Sequence, residues 1–256
     1  MTDFFDAVDP LLYDQSLPYV VPGVAVARAL RKAAFDMIFE RSIDWVGADI
    51  GIGTGSDLAT LLPRGSTGKI YGVDESSRLT SKLSRAGKLP NAHLRSVTLT
   101  LDICDFSEER AFRTISAANP KGLDFVSSAF AIHNVSHQRQ AVAFRNVASI
   151  LKVGSPFFYL DLVSYADASF REAADLADLA FIGAEMNTVP PGIDEDQWQR
   201  LQTRWVEHYR HENFLLPLTS PDGADVSTLL ADAGFSPPEV LFRMHNTTLL
   251  IARRVS

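Results

Sequence analysis

The stretch Asp49-Ile50-Gly51-Ile52-Gly53-Thr54-Gly55 sets an acid directly ahead of three alternating glycines. Glycines crowd a turn when backbone must pass close to a ligand and adopt angles closed to other residues. Further on, Asp74 ends the run Ile70-Tyr71-Gly72-Val73. An acid at a strand tip after such a loop is placed to accept from both hydroxyls of a ribose; as a purely structural residue it would cap a helix starting near Ser76. A nicotinamide dinucleotide site shares both features, but its loop is spaced Gly-x-Gly-x-x-Gly to receive a pyrophosphate. A carboxylate at Asp49 would repel pyrophosphate and suits an ammonium group. The ligand implied is an adenosine joined to an amino acid.

Other side chains could act on a second molecule. His133, in Ala131-Ile132-His133-Asn134, has an imidazole that titrates near neutrality and could take a proton; alternatively it bonds a nearby loop carbonyl. His137 reads as a surface residue at a helix start. Tyr165, Phe170, Phe181, Met186, Trp198, Trp205, Tyr209 and Phe214 supply aromatic and thioether surface. Most of these form the core of their own segment, and some, with Tyr165 and Trp205 as candidates, line an apolar substrate pocket.

These residues need a frame. Strands are predicted at 45–50, 69–74, 93–99, 123–128, 157–162, 240–244 and 247–252, with helical spacing at 56–62, 77–86, 108–118 and 138–151 between the first five. Strands alternating with helices predict a mostly parallel sheet covered on both faces. After a helix at 226–233 closed by Gly234, the short link His245-Asn246 permits only an antiparallel hairpin. Outside this core lie an N-terminal helical cap, 1–41, and a helical lid insertion, 163–220, with helices at 168–186 and 194–213. The chain, 1–256, reads as a single domain.

Composition narrows the partners. Hydrophobic residues make up 46% of the chain and its formal net charge is −7. The first figure suits a buried core, and the second gives no field that draws the chain to nucleic acid or anionic lipid. A single cysteine, Cys104, excludes internal disulfides and cysteine-based metal clusters, and no metal is expected. No apolar run approaches the roughly 18 to 20 residues needed to cross a bilayer, and the acidic start is unlike a signal peptide. A cytoplasmic protein is expected, without membrane or nucleic-acid partners and with a homodimer as an open option.

Asp49-x-Gly51-x-Gly53-x-Gly55, then Asp74, then Leu101-Asp102-Ile103, resembles the cofactor signature of class I S-adenosylmethionine-dependent methyltransferases. Leu123-Asp124-Phe125-Val126-Ser127-Ser128, Ile150-Leu151-Lys152-Val153-Gly154 and Ala233-Gly234-Phe235 are similar to later motifs of that family, with Val153 where proline is frequent. The resemblance implies a Rossmann-like α/β fold, a seven-stranded mixed sheet ordered 3-2-1-4-5-7-6 with strand 7 antiparallel, which agrees with the hairpin at His245-Asn246. It implies S-adenosylmethionine (SAM) as cofactor, S-adenosylhomocysteine (SAH) as product and a small-molecule methyl acceptor at O, N or C. Gly51, Gly53 and Gly55 would line the methionine part, with Asp49 bonding towards its amino group and Asp74 holding the ribose. Asp102 would accept from the adenine amino group, with Asp105 as its rival, and the backbone of Ile103 would contact the ring. Ser128 would lie near the sulfonium, and Tyr13 resembles an aromatic that closes over the cofactor; it could equally pack on the core. Arg210 and Pro22-Gly23 resemble carboxy-S-adenosylmethionine synthases, where an arginine binds the cofactor's added carboxylate. A non-catalytic cofactor-binding protein is the remaining alternative.

Overall fold

The computed structural model describes residues 2–39, 44–90, 96–211 and 214–256. Its strands are β1 (Asp44–Ile50), β2 (Thr67–Asp74), β3 (Val97–Ile103), β4 (Phe125–Ala129), β5 (Pro156–Leu162), β6 (Glu239–Met244) and β7 (Thr247–Arg253). They form one seven-stranded sheet in the order β3-β2-β1-β4-β5-β7-β6. The first five are mutually parallel, and β7 runs antiparallel to both β5 and β6. The expected architecture is the observed one.

Burial explains the strand sequences. Every residue of β5 is buried, as a central strand covered on both faces requires. Its neighbours in sequence, Phe157 and Phe158, point to opposite faces and join different cores. One face carries α6 (Glu109–Ala118), α7 (His137–Ile150) and α10 (Val226–Asp232). The other carries α3 (Val24–Ile38), α4 (Ser56–Leu61) and α5 (Ser81–Ala86).

A third apolar cluster is built on Leu160 and Leu162 of β5 and Leu249 of β7. It joins α1 (Thr2–Ala7) and α2 (Pro10–Val20) to α8 (Ala168–Glu185) and α9 (Glu195–His211), so the N-terminal and inserted segments share one core. Their starts are written locally. Asp9, followed by Pro10 at the first helical position, accepts from the N–H groups of Leu11 and Leu12, and Asp167 accepts from those of Ser169 and Phe170. Among the described residues no helix is long and apolar enough to cross a membrane.

Most boundaries agree with the expected ones within two residues, and two elements start four residues later. The third strand, expected at 93–99, begins at Val97 and runs through Asp102 to Ile103; positions 93–95 lie outside the described residues. Val97, Leu99, Leu101 and Ile103 alternate with Thr98, Thr100 and Asp102, the period of an edge strand with one wet face, which a search for continuous apolar runs passes over. The helix expected at 77–86 starts at Ser81, because Asp74 and Ser76 hold the intervening backbone in turns: Ser76 N–H donates to Asp74 and Thr80 Oγ1 to Ser76 O. Of the helix expected at 194–213, positions 212 and 213 lie outside the described residues, as do 1, 40 and 41 of the N-terminal cap.

Candidate active site

The site forms where β1, β2 and β4 end side by side. Past β1 the chain turns at Gly51, whose φ of +72° lies in the left-handed region. A Cβ there would stand 2.1 Å from the Cβ of Ala131, so the loop after β4 closes on this point only because the residue is glycine. Gly51 and Ile52 donate their N–H groups to Val73 O at 2.8 and 3.2 Å. Gly55, with φ of +77°, releases the chain into α4.

Asp74 is buried and joins the two loops. Its Oδ2 accepts from Gly53 N–H at 2.7 Å and its Oδ1 from Ser76 N–H at 2.8 Å. The capping role weighed for this acid is therefore present as a turn rather than a helix cap. The same carboxylate also lines a cavity of about 400 Å³ with Gly51, Gly53, Ala131, Phe106 and Tyr13.

Asp49, beside Ser127 in the sheet, is 2% exposed. Its Oδ1 has no hydrogen-bond partner. Burial raises the carboxyl pKa to about 7; Arg31 pulls it down, while Asp57 and Asp74 push it further up. Arg31 reaches this point from the buried face of α3 and donates to Asp57 Oδ1 at 2.9 Å, beside the Arg28–Asp57 pair. Burial works against the Asp57 anion, but Arg31 and Arg28 together hold its carboxyl below the ordinary value. The N-terminal segment grips the glycine loop a second time: Thr54 and Ser56 each donate to Asp14 of α2 at 2.7 Å.

His133 sits in a single tight turn, Ile132–Asn134, just after β4, and is 5% exposed. Its Nδ1 donates to Oδ1 of Asp161, a fully buried residue of β5. The partner is thus a carboxylate, not a loop carbonyl. Asp161 is fixed in turn by the N–H groups of Leu162 at 2.9 Å, Ile132 at 3.1 Å and His133 at 3.3 Å. His133 faces a second cavity, also about 400 Å³, with Val20, Leu162, Ile182, Trp205 and Tyr209 in its wall. The two cavities share Phe5, Tyr13, Phe130 and Asn134 as a common partition.

The remaining expected residues are distributed as follows. Tyr13 lines both cavities and stacks on Trp205 at 5.7 Å. Ser128 is fully buried and spends its hydroxyl on Ile50 O at 2.8 Å, tying β4 to β1. Asp102 and Ile103 do not line the first cavity. Because β3 runs further than expected, Asp102 lies within the strand beside Val73, 3.7 Å from Arg110, and Ile103 is 40% exposed. Asp105 accepts from Ser107 N–H and pairs with Arg139, and Phe106 supplies the wall in this region. Tyr165 lies outside both cavities, under the guanidinium of Arg243 at 3.8 Å. Arg210 lines a third recess, behind Tyr209. His137 is exposed, as expected; Met186 and Trp198 belong to the core shared by the insertion and the N-terminal segment, the Trp198 indole donating to Met186 O.

Comparison with known proteins agrees with this geometry. Residues 48–159 match the family described as Methyltransferase domain. No curated protein matches the sequence. The fold is similar to an O-methyltransferase family protein from Burkholderia thailandensis at a TM-score of 0.55 and 16% identity, over 96% of this chain and 60% of that one. It is similar to PigF with SAH (TM-score 0.54, 16% identity, 98% of this chain and 62% of that one). It is also similar to human N-acetylserotonin methyltransferase in complex with SAM (0.53, 15%, 96% and 56%). The chain thus spans about 60% of the length of these structures. Residues 48–159 thus match a methyltransferase domain, and they sit in a sheet of order β3-β2-β1-β4-β5-β7-β6.

Proposed function

We propose that this protein methylates a hydroxyl group of a small, apolar or aromatic molecule. The observation that carries the reading is the His133–Asp161 pair on the wall of an apolar cavity that abuts the glycine-loop cavity. A hydroxyl is a weak nucleophile until its proton is taken, whereas a neutral amine attacks through its lone pair and sheds a proton afterwards. With Nδ1 held by Asp161, the neutral imidazole keeps Nε2 as its acceptor atom. Asp161 also stabilises the imidazolium that forms once the acceptor's proton is taken.

The cofactor end has groups of the right chemistry for SAM. Asp49 Oδ1 is a buried acceptor in need of a donor, which an ammonium group supplies. Gly51, Gly53 and Gly55 leave the loop without side chains where the methionine portion would pass. Asp74, an acid at the tip of β2 that lines the glycine-loop cavity, is the group placed for a ribose diol. Phe106, in place of Asp102 and Ile103, offers the apolar surface an adenine ring would lie against. When bound, SAM supplies a methyl carbon made electrophilic by its sulfonium. Tyr13, with α8 and α9 acting as a lid, excludes water, and Trp205 lines the acceptor's place.

The carboxy-S-adenosylmethionine reading loses its residue here: Arg210 stands in a recess that shares no lining residue with the glycine-loop cavity. A panel of phenols and matched anilines, read by SAH release, tests the proposal. Turnover with phenols that disappears in His133→Gln supports it; turnover confined to anilines and indifferent to that substitution refutes it.

A further inference from the structure

The third recess carries a feature that neither cavity explains. It is an open concavity between α8 and α9, and its wall includes Ser164, Arg171, Asp175, Tyr209 and Arg210. Arg171 and Arg210 come from different helices, and among the described residues no carboxylate lies within ion-pairing distance of either guanidinium. Two unpaired cations facing one concavity repel each other, in a chain whose net charge is −7.

Ser164 makes the same point from the floor of the recess. It is 2% exposed and its Oγ has no hydrogen-bond partner. Its backbone is fixed on both sides: the N–H donates to Leu216 O at 2.9 Å and the carbonyl accepts from Arg243 at 2.7 Å. A buried hydroxyl without a partner costs stability until something accepts its proton. The one acid in the wall, Asp175, has an oxygen engaged by the Asn246 amide at 2.9 Å. Two guanidinium groups against one carboxylate leave the recess with a net positive charge, and the Ser164 hydroxyl adds a hydrogen-bond donor.

We infer that this recess binds an anionic group, a carboxylate or a phosphate monoester, held by Arg171 and Arg210 with Ser164 donating from below. Planar, forked guanidinium groups are suited to both. The site adjoins the acceptor cavity through Tyr209, whose ring belongs to both walls. That ring is pinned, since its hydroxyl donates to Asp178 at 2.5 Å and accepts from Asn246 at 2.8 Å. The occupant it fits is the far end of the methyl acceptor itself: an apolar, hydroxyl-bearing body beside His133 and an acidic tail passing the edge of Tyr209. This assignment of the tail rests on the function proposed above; the anion site does not.

The experiment is calorimetric titration of the SAH-saturated full chain with 4-(4-hydroxyphenyl)butanoate, with its neutral butanamide, and with inorganic phosphate. The wild type is compared with the Arg171→Gln/Arg210→Gln double variant and with Ser164→Ala. The acid is expected to bind about tenfold or more tighter than the amide, with the preference abolished in the double variant and reduced in Ser164→Ala. Unchanged amide affinity in the double variant reports an intact fold. Phosphate binding that weakens about tenfold in the double variant, without an acid preference, also supports an anion site and makes its source a free anion. Equal affinity for acid and amide, together with phosphate binding absent or indifferent to both arginines, overturns the inference. Because every readout is binding, failure to observe methyl transfer leaves these outcomes standing.

Discussion

His133 and Asp161 meet across the ends of adjacent strands, the imidazole Nδ1 donating to a carboxylate that three backbone N–H groups already fix. The pair is rigid before any substrate arrives, and this preorganisation gives a proton acceptor a defined direction. Replacing His133 by Gln removes the acceptor atom but keeps a polar group of similar reach. A fall in kcat of about 10² to 10⁴ is expected for a phenolic acceptor, the usual range for loss of a general base. The Kd for SAH should stay within about threefold, because His133 lines only the second cavity. Steady-state kinetics with calorimetry checks both numbers, and a kcat within a few-fold of wild type removes the base.

Asp161 acts through His133, so its substitution should be non-additive with that of the histidine. Asp161→Asn turns one acceptor oxygen into a donor facing N–H groups, and should lower stability by about 1.5–3 kcal/mol as well as kcat. The His133→Gln/Asp161→Asn double variant should turn over no more slowly than the worse single variant. Multiplying rate losses would mean that the two residues serve separate steps.

With Asp49 as the proposed partner of the cofactor's ammonium group, cofactor affinity should depend on pH. Burial raises the Asp49 carboxyl pKa to about 7, so below that pH the ligand-free protein would hold a proton where the ammonium group would sit. SAH affinity should therefore rise about tenfold per unit from pH 5 to 7 and level off above it, with proton uptake by buffer during binding at pH 6. The stability sign is the opposite. A raised folded-state pKa stabilises the empty protein below the unfolded carboxyl value and loses that stability as pH climbs through about 7. Asp49→Asn should thus melt higher than wild type at pH 8 while binding SAH more weakly. A pH-independent SAH affinity would place the ammonium elsewhere.

The glycines should separate fold from site. Gly51→Ala drives a methyl into Ala131 and should destabilise the chain by several kcal/mol, about 2–4, with φ strain added to the clash. A Cβ at Gly53 meets nothing nearer than Leu79 at 3.9 Å. Gly53→Ala should cost only about 1 kcal/mol of stability, from its φ of +50°, yet weaken SAH binding, since Gly53 lines the first cavity. Thermal melts and titrations on the two variants distinguish the cases; equal stability losses would contradict the geometry.

Much of this site could be read from the chain because its signals are local. An acid, three glycines and a strand-tip acid lie within one strand–turn–helix–strand unit, and the hairpin forced by His245-Asn246 fixed the end of the sheet. What was missed depends on contacts distant in sequence. Asp161 lies 28 residues from His133, and its only trace is a charge inside the otherwise apolar run Phe157-Phe158-Tyr159-Leu160-Asp161-Leu162. Arg31 is similar: Val24, Ala27, Arg31 and Phe35 form the buried stripe of α3, and a cation at helical spacing among apolar residues was the available clue. Asp102 and Ile103 line neither cavity, and here the reason is local: alternation on an edge strand extends β3 through both residues. Tyr165 fell outside because the strand end directs it to Arg243 rather than inward.

The seat of the cofactor is tested most directly by titrating SAH and NADPH into the wild type and Asp74→Ala. Micromolar SAH binding by the wild type, no heat with NADPH, and a loss of about 1.5–3 kcal/mol in SAH affinity in Asp74→Ala are expected. Binding of NADPH alone, or an SAH dissociation constant that Asp74→Ala leaves untouched, would contradict the account.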